Sequence, residues 1–511
     1  MARTYVELVE DDEHLRPDEE HRSGLVDVVR RHPARALTAA VVAVVVVGGA
    51  VVAQLVVDAR ERAQLAALAD EPGFLAPVEL PMRSVFVADG DAASAVQNGV
   101  RVGDLLVGGT YEPVAVGPHV LAVDPATGAV VWDVTVDLPP AAEPEPEVQA
   151  GSEPSGTTWC TAPEGEPSRV ACVVSRSYGW QSDDGRFGHE VAVRALVVLD
   201  ASDGSVVERR DEPLGAELFV GDDAYWVASI DPDRRGVQVV ERGYDDAEHW
   251  STHVDAPAEL DQDTTPAVMA DDTRTVLSLG TTAWLLGADG TPGHRLGGGT
   301  GPGWVSLVPD GVLIMRYDQD GAQEGGGVLW HADGTSRDMT GFDPAPIYVD
   351  DGSRPGATFT TDSSIGPLVR RDRAGAVLWK ADVTLGSWSF LVRGTVVVAG
   401  GSELAAVDAD DGDVLWKTTL PAPADQLFTD GRVVLVPNGR VVRAYGIDDG
   451  ERRWSAQLVE RDGEYTLQRM ATDDPTADVS APYSDGWWNV TPAGQLAYSL
   501  PTADSTVVVL G

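Results

Sequence analysis

Cysteine and lysine are almost missing from this sequence: Cys160 and Cys172 are the only thiols, and Lys380 and Lys417 the only lysines, in 511 residues. Two cysteines twelve positions apart do not make a C-x-x-C redox motif, which needs closer thiols. Positive charge is scarce as a whole. Against 81 Asp and Glu stand 37 Lys and Arg, a formal net charge of −44. A field of that sign repels phosphate backbones, so nucleic acid is excluded as a partner, and acidic loops of this kind keep an exposed domain soluble. The bias toward Ala, Val, Gly and Asp, with Arg in place of Lys, is the mark of a GC-rich genome rather than of a need for guanidinium.

Catalytic motifs are missing too. There is no G-x-S-x-G, no H-E-x-x-H and no P-loop; GGGTGPG (Gly297 to Gly303) lacks the G-K-[ST] ending that makes a phosphate cradle. His249 and His253 are four apart in a strand-like stretch, too few ligands for a metal site. Asp408, Asp410, Asp411 and Asp413 crowd around Gly412, and Asp318 and Asp320 precede Gly321, but neither stretch completes a calcium-loop pattern. Asp-Gly is ordinary hairpin-turn chemistry. No catalytic, cofactor-binding or metal-ligating residue is assigned.

Long apolar runs occur once. Ala36 to Val57 is 22 residues with only Thr38 and Gln54 polar, long enough to cross a bilayer as a helix. Arg22, Arg30, Arg31 and Arg35 precede it, while Arg60 and Arg62 follow among Asp58, Glu61, Asp70 and Glu71. The positive-inside rule then predicts an uncleaved single-pass anchor in the cell membrane with the N-terminus in the cytoplasm and the rest of the chain outside. The run is longer than a signal-peptide h-region and begins 35 residues into the chain. Residues 1–35, with 9 acids and 6 bases, read as a disordered cytoplasmic tail, 36–57 as the transmembrane helix and 58–79 as a juxtamembrane stalk. Residues 80–511 form the extracytoplasmic domain. There, on the oxidising side, Cys160 and Cys172 are expected to form a disulfide clamping a hairpin. Residues 137–157, rich in Pro and Glu, read as a flexible insertion.

What is abundant is periodicity. VLAVDPATGAVVW (Val120 to Trp132), PLVRRDRAGAVLW (Pro367 to Trp379), LAAVDADDGDVLW (Leu404 to Trp416) and VRAYGIDDGERRW (Val442 to Trp454) align without a gap. Each places Gly ninth (Gly128, Gly375, Gly412, Gly450) and Trp thirteenth (Trp132, Trp379, Trp416, Trp454). An alternating strand, a Gly turn and a second strand, repeated near every 40 residues, predict one propeller blade per unit. The repeated Trp is expected at an equivalent buried place in each, filling the wedge between neighbouring sheets. Weaker copies keep Gly204, Gly290 and Gly334, with Glu208 in one Trp place, and a poor copy surrounds Tyr244 to Trp250. SVFVADG (Ser84 to Gly90) and the tail Asp485 to Leu500 are expected to share the blade that closes the ring. The fold class is therefore all-β, a seven- to eight-bladed β-propeller preceded by one transmembrane helix.

The units AVDPATGAVVW, AVDADDGDVLW and YGIDDGERRW resemble the repeat of pyrroloquinoline quinone (PQQ)-type propellers, over roughly residues 80–511 and most closely after Pro367. The Gly doublets LVGG (Leu106 to Gly109) and VAGG (Val398 to Gly401) resemble those of kelch propellers, but in too few units to prefer that family. The PQQ-type resemblance implies a propeller and leaves the activity open, since the group holds quinoprotein dehydrogenases, an outer-membrane assembly lipoprotein and non-enzymatic binding proteins. In the dehydrogenases it implies PQQ over a vicinal Cys–Cys pair near calcium and a catalytic Asp. This sequence lacks the vicinal pair. The expectation is a non-catalytic binding or scaffold protein of the cell envelope, with no cofactor and an envelope protein or polymer as partner. A PQQ-dependent oxidoreductase is the alternative.

Overall fold

The computed structural model describes residues 73–109, 118–138, 154–163, 165–181, 187–212, 216–260, 264–271, 274–297, 303–308, 311–317, 323–331, 334–339, 343–345, 347–361, 366–372, 376–386, 388–424, 426–470, 486–501 and 505–511. The expected tail (1–35), transmembrane helix (36–57) and most of the stalk lie outside them, as does Gly375. Among the described residues no helix is long and apolar enough to cross a membrane.

Each well-formed repeat is an antiparallel hairpin: His119–Val123 with Val130–Thr135, Gly366–Arg371 with Val377–Leu385, Glu403–Asp408 with Val414–Thr419, and Val441–Gly446 with Arg452–Arg461. The turn explains why. In the unit at Glu403–Asp408, the Asp408 carboxylate accepts from the amide of Asp410 and its carbonyl accepts from the amide of Gly412, which sits at φ +80°. A side chain that bonds its own backbone and a residue free to enter the left-handed region are what a tight turn requires. The register then shifts by one residue at Ala406/Val407, and equivalent shifts occur at Ala122/Val123, Arg370/Arg371 and Ala444/Tyr445. Such a bulge re-aims the following side chain, which in all four hairpins is the repeated Trp.

Two further strands precede nearly every hairpin, so sheets follow one another along the chain over residues 100–135, 154–212, 216–255, 266–297, 303–339, 343–385 and 388–419. Ile347–Asp350 leaves its own sheet and pairs parallel with Trp388–Val392 in the next. The last sheet has nine strands. It joins the set Phe428–Thr429 to Arg452–Arg461, through Glu464–Arg469, to a second set made of Trp487–Val490, Leu496–Leu500, Thr506–Leu510 and the early strand Met82–Ala88. The N-terminal strand and the tail thus share one set, as their patterning suggests. Successive four-stranded antiparallel sheets are the arrangement of a β-propeller.

The core lies between the faces of neighbouring sheets. One cluster packs Val107, Val120 and Trp132 against Val170, Cys172 and Val197; another packs Leu368, Trp379 and Val383 against Leu391, Val398 and Val407. Each sheet therefore depends on its neighbours for burial, as stacked repeats must.

Two boundaries differ from expectation. Phe74, Leu75 and Val78, assigned to the stalk, are buried; Phe74 bridges to Thr429, and the amide of Leu75 donates to the Thr429 carbonyl. Apolar side chains at that spacing found a sheet edge to cover. Residues 154–157, assigned to the insertion, begin the strand Pro154–Thr161; residues 139–153 lie outside the described residues. Among the described residues there is also one short helix, Gly90–Asn98, which buries Ala93, Ala95 and Val96 against Leu106 and Leu121. Gly108 of the LVGG doublet permits that contact, since a Cβ there would stand 2.8 Å from Ala95 Cα.

Candidate functional site

The repeated Gly and Trp meet, but across sheets rather than within a unit. Trp379 donates from Nε1 to the carbonyl of Ala409 at 3.2 Å, and its ring covers Gly412 of the next unit so closely that a Cβ would sit 2.6 Å from Cδ2. Trp416 does the same to Ile447 (2.6 Å) and Gly450, and Trp132 to Ala201 (2.8 Å) and Gly204. Trp132, Trp379 and Trp416 are buried; Trp454 is only partly so. Positions outside the four well-formed units extend the series. Phe86 of the closing strand covers Gly128, Trp250 covers Gly290, and His294 approaches Gly334. The signal was present for Trp250 and His294, each four residues after the turn position.

The cysteines face each other directly, Cys160 on Pro154–Thr161 and Cys172 on Arg169–Gln181, and are bonded. The bridge ties the first strand of its sheet to the second, beside Trp159, whose side chain is 69% exposed. Such a ring, held on a braced strand, lines a cleft of about 490 Å³ with Thr157, Ser175, Phe219, Trp226 and Met269. The first strands of three consecutive sheets, Pro154–Thr161, Ala216–Val220 and Pro266–Asp271, contribute to it. Trp226 is buried, its Nε1 donating to Glu241 at 2.8 Å. Arg194 lines the cleft and reaches Glu217 at 2.5 Å, largely shielded from water. An aromatic floor with one fixed ion pair suits a ligand that presents flat apolar faces and a few polar groups. Burial pushes the Tyr244 hydroxyl, which donates to Gly221 beside the cleft, well above its ordinary range. It stays a neutral donor. No local pattern in the residues announces this cleft, because Trp159, Phe219 and Trp226 carry no motif and Trp159 comes from a different sheet than the paired Phe219 and Trp226.

The remaining candidates resolve into structure. His249 pairs with Glu241 at 3.1 Å and His253 with Asp231 at 2.7 Å, so the two rings serve different carboxylates. Asp410 is held by Arg354 at 2.7 and 2.5 Å, and that guanidinium keeps its carboxyl below the usual range. Lys380 and Lys417 stand one residue after Trp379 and Trp416 and line a single cleft of about 730 Å³ with Asp382 and Glu403. Lys417 lies 3.6 Å from Glu403.

Residues 365–484 match the family described as outer membrane protein assembly factor BamB, a PQQ-type repeat model, so the resemblance seen in the sequence is met where the units are best formed. No curated protein matches the chain. Among solved structures, Sqt1 of Saccharomyces cerevisiae is 11% identical with a TM-score of 0.35, covering 84% of this chain and 99% of its own. The quinohemoprotein alcohol dehydrogenase of Comamonas testosteroni is 11% identical with a TM-score of 0.35, covering 83% and 76%. AztD of Citrobacter koseri is 9% identical with a TM-score of 0.30, covering 76% and 97%. Likenesses this distant carry no inference about activity.

The fit to PQQ can be tested on the residues themselves. Cys160 and Cys172 pair across a hairpin instead of standing side by side, and among the described residues no three His, Cys, Asp or Glu converge to hold a metal ion. The vicinal cysteine pair that the resemblance implies beneath the cofactor is therefore not present.

Proposed function

We propose that this chain is a membrane-anchored, extracytoplasmic propeller that works as a non-catalytic binding or scaffold protein of the cell envelope. Each four-stranded set is one blade, so the set combining the N- and C-terminal strands adds a ninth to the eight repeat units, one more than the seven or eight expected from the sequence. The observation that carries this reading is Trp159: a large ring left 69% exposed on a strand braced by the disulfide, over a cleft floored by Phe219 and Trp226. Exposed aromatic anchors of this kind mark contact surfaces. Everything else the repeat spends on rings and turns holds sheets together. The partner is an envelope protein or polymer, and the apolar segment 36–57 tethers the propeller near it.

The test uses the full-length chain. It should sediment with isolated cell-wall material, and Trp159→Ala should weaken that binding about tenfold or more, the scale of a lost aromatic anchor. Added PQQ and calcium should give no substrate-dependent dye reduction. Dye reduction that follows the cofactor would establish the oxidoreductase instead. Protease applied to intact cells should remove the bulk of the chain and leave an N-terminal fragment; a protected C-terminal tag would reverse the orientation.

A further inference from the structure

We infer that the cleft at the seam between the closing strand and its neighbour is a second site, for a phosphate-bearing ligand. The cleft, of about 610 Å³, lies where Met82–Ala88 pairs with Glu464–Arg469, Arg83 standing opposite Thr466. Arg83 comes from the N-terminal strand, Arg461 from the end of Arg452–Arg461, and Arg469 from the end of Glu464–Arg469. Opposite ends of the chain thus bring three arginines to one lining, and all three are exposed.

Their isolation is the unusual feature. In a chain with 81 acids and 37 bases, partners for a guanidinium are plentiful. Arg194 has Glu217, Arg354 has Asp410, and Arg453 has Asp449. No side-chain ion pair or hydrogen bond joins Arg83, Arg461 or Arg469 to any described residue. Glu464 is the one acid of the lining, so three guanidinium groups against one carboxylate leave a local charge of +2. Gathering like charges without a counter-charge costs free energy that a ligand of opposite sign recovers.

The charge selects the ligand. A single carboxylate would leave half of it uncompensated, whereas a phosphate monoester carries about −1.5 to −2 at pH 7 with three acceptor oxygens. Guanidinium forks bind such oxygens in pairs, and Gln468, also in the lining, adds an amide donor. The strongly negative remainder of the molecule repels anions, so recognition falls to this local cluster. The phosphate can belong to a soluble phosphorylated molecule or to a lipid headgroup.

Calorimetric titration of the purified full-length chain in low salt, with inorganic phosphate and with dioctanoyl phosphatidic acid, tests this. Arg83→Gln and Arg461→Gln should each weaken binding about tenfold, the scale of one charge-assisted hydrogen bond. Arg209→Gln, whose guanidinium is already paired with Asp211, should leave it unchanged. Unchanged melting temperatures establish that the variants are folded. Binding of phosphate itself identifies a soluble ligand; binding of phosphatidic acid alone, with dioctanoyl phosphatidylcholine inert, identifies a headgroup. No binding of either, equal binding of chloride, or indifference to both arginine variants overturns the proposal.

Discussion

Two junctions between neighbouring sheets do the same job with opposite chemistry. At one, the ring of Trp379 lies on Gly412, and a Cβ would stand 2.6 Å from it. At the other, Glu208 occupies the Trp place and Asp246 the Gly place, and the contact is an ion pair between Arg210 and Asp246. Asp246 keeps the backbone of the glycine it replaces, with φ +68° against +80° at Gly412. The glycine is therefore demanded twice in the first junction, by the turn and by the ring. In the second only the turn remains, and Asp can tolerate that. The two substitutions belong together: once the ring is gone, the space it needed is free for a side chain.

The largest loss is expected at the ring. Trp379→Ala should cost about 3–5 kcal/mol, the range for deleting a buried aromatic, read as a lowered denaturation midpoint with the slope unchanged. Gly412→Ala comes next, at roughly 2–4 kcal/mol, overpacking against Trp379 added to the conformational cost of φ +80°. Gly463→Ala is its control: φ is +83° but the space is open, so only the conformational cost of about 1–2 kcal/mol should appear. A cycle at the other junction sharpens the contrast. Glu208→Trp alone should destabilise, because Asp246 occupies the seat, and adding Asp246→Gly should recover stability, a coupling of roughly 1 kcal/mol or more. Equal and additive losses would refute the co-substitution argument.

The smallest effect is a pH dependence at His253. Its hydrogen bond to Asp231 holds the ring's pKa above the ordinary imidazole value. A group raised in the folded state contributes stability fully below its unfolded pKa, and that contribution fades as pH rises through the folded one. His253 is substantially exposed, so screening limits it to about 0.5 kcal/mol or less. Ring titration by NMR should show the folded pKa falling in Asp231→Asn.

Much of this architecture was legible because a propeller repeats its constraints. The Asp-Gly turn, the bulge and the ring recur at fixed spacing, so the hairpins at Trp132, Trp379, Trp416 and Trp454 could be placed from residues alone. The partner of each ring could not: Trp379 meets Gly412, not the glycine of its own unit. Phe86 escaped notice because the closing strand stands outside the periodic series. The aromatic cleft at Trp159 was illegible for a deeper reason. Its residues come from three sheets, and nothing in local patterning records which side chains on successive first strands will converge. The stalk boundary failed on scale, since Phe74, Leu75 and Val78 are too few to announce a strand yet enough to cover an edge.

The two lysines, one residue beyond Trp379 and Trp416, give the molecule a single chemical handle. Every side-chain amine of the chain opens into one cleft, with Lys380 exposed and Lys417 37% exposed. A reagent or surface that reacts with side-chain amines will therefore seize the propeller from that side alone, leaving the aromatic cleft at Trp159 unmodified. Cross-links mapped to these two lysines then report only what stands against this one flank, so a partner captured through them is located on the molecule by the act of capture.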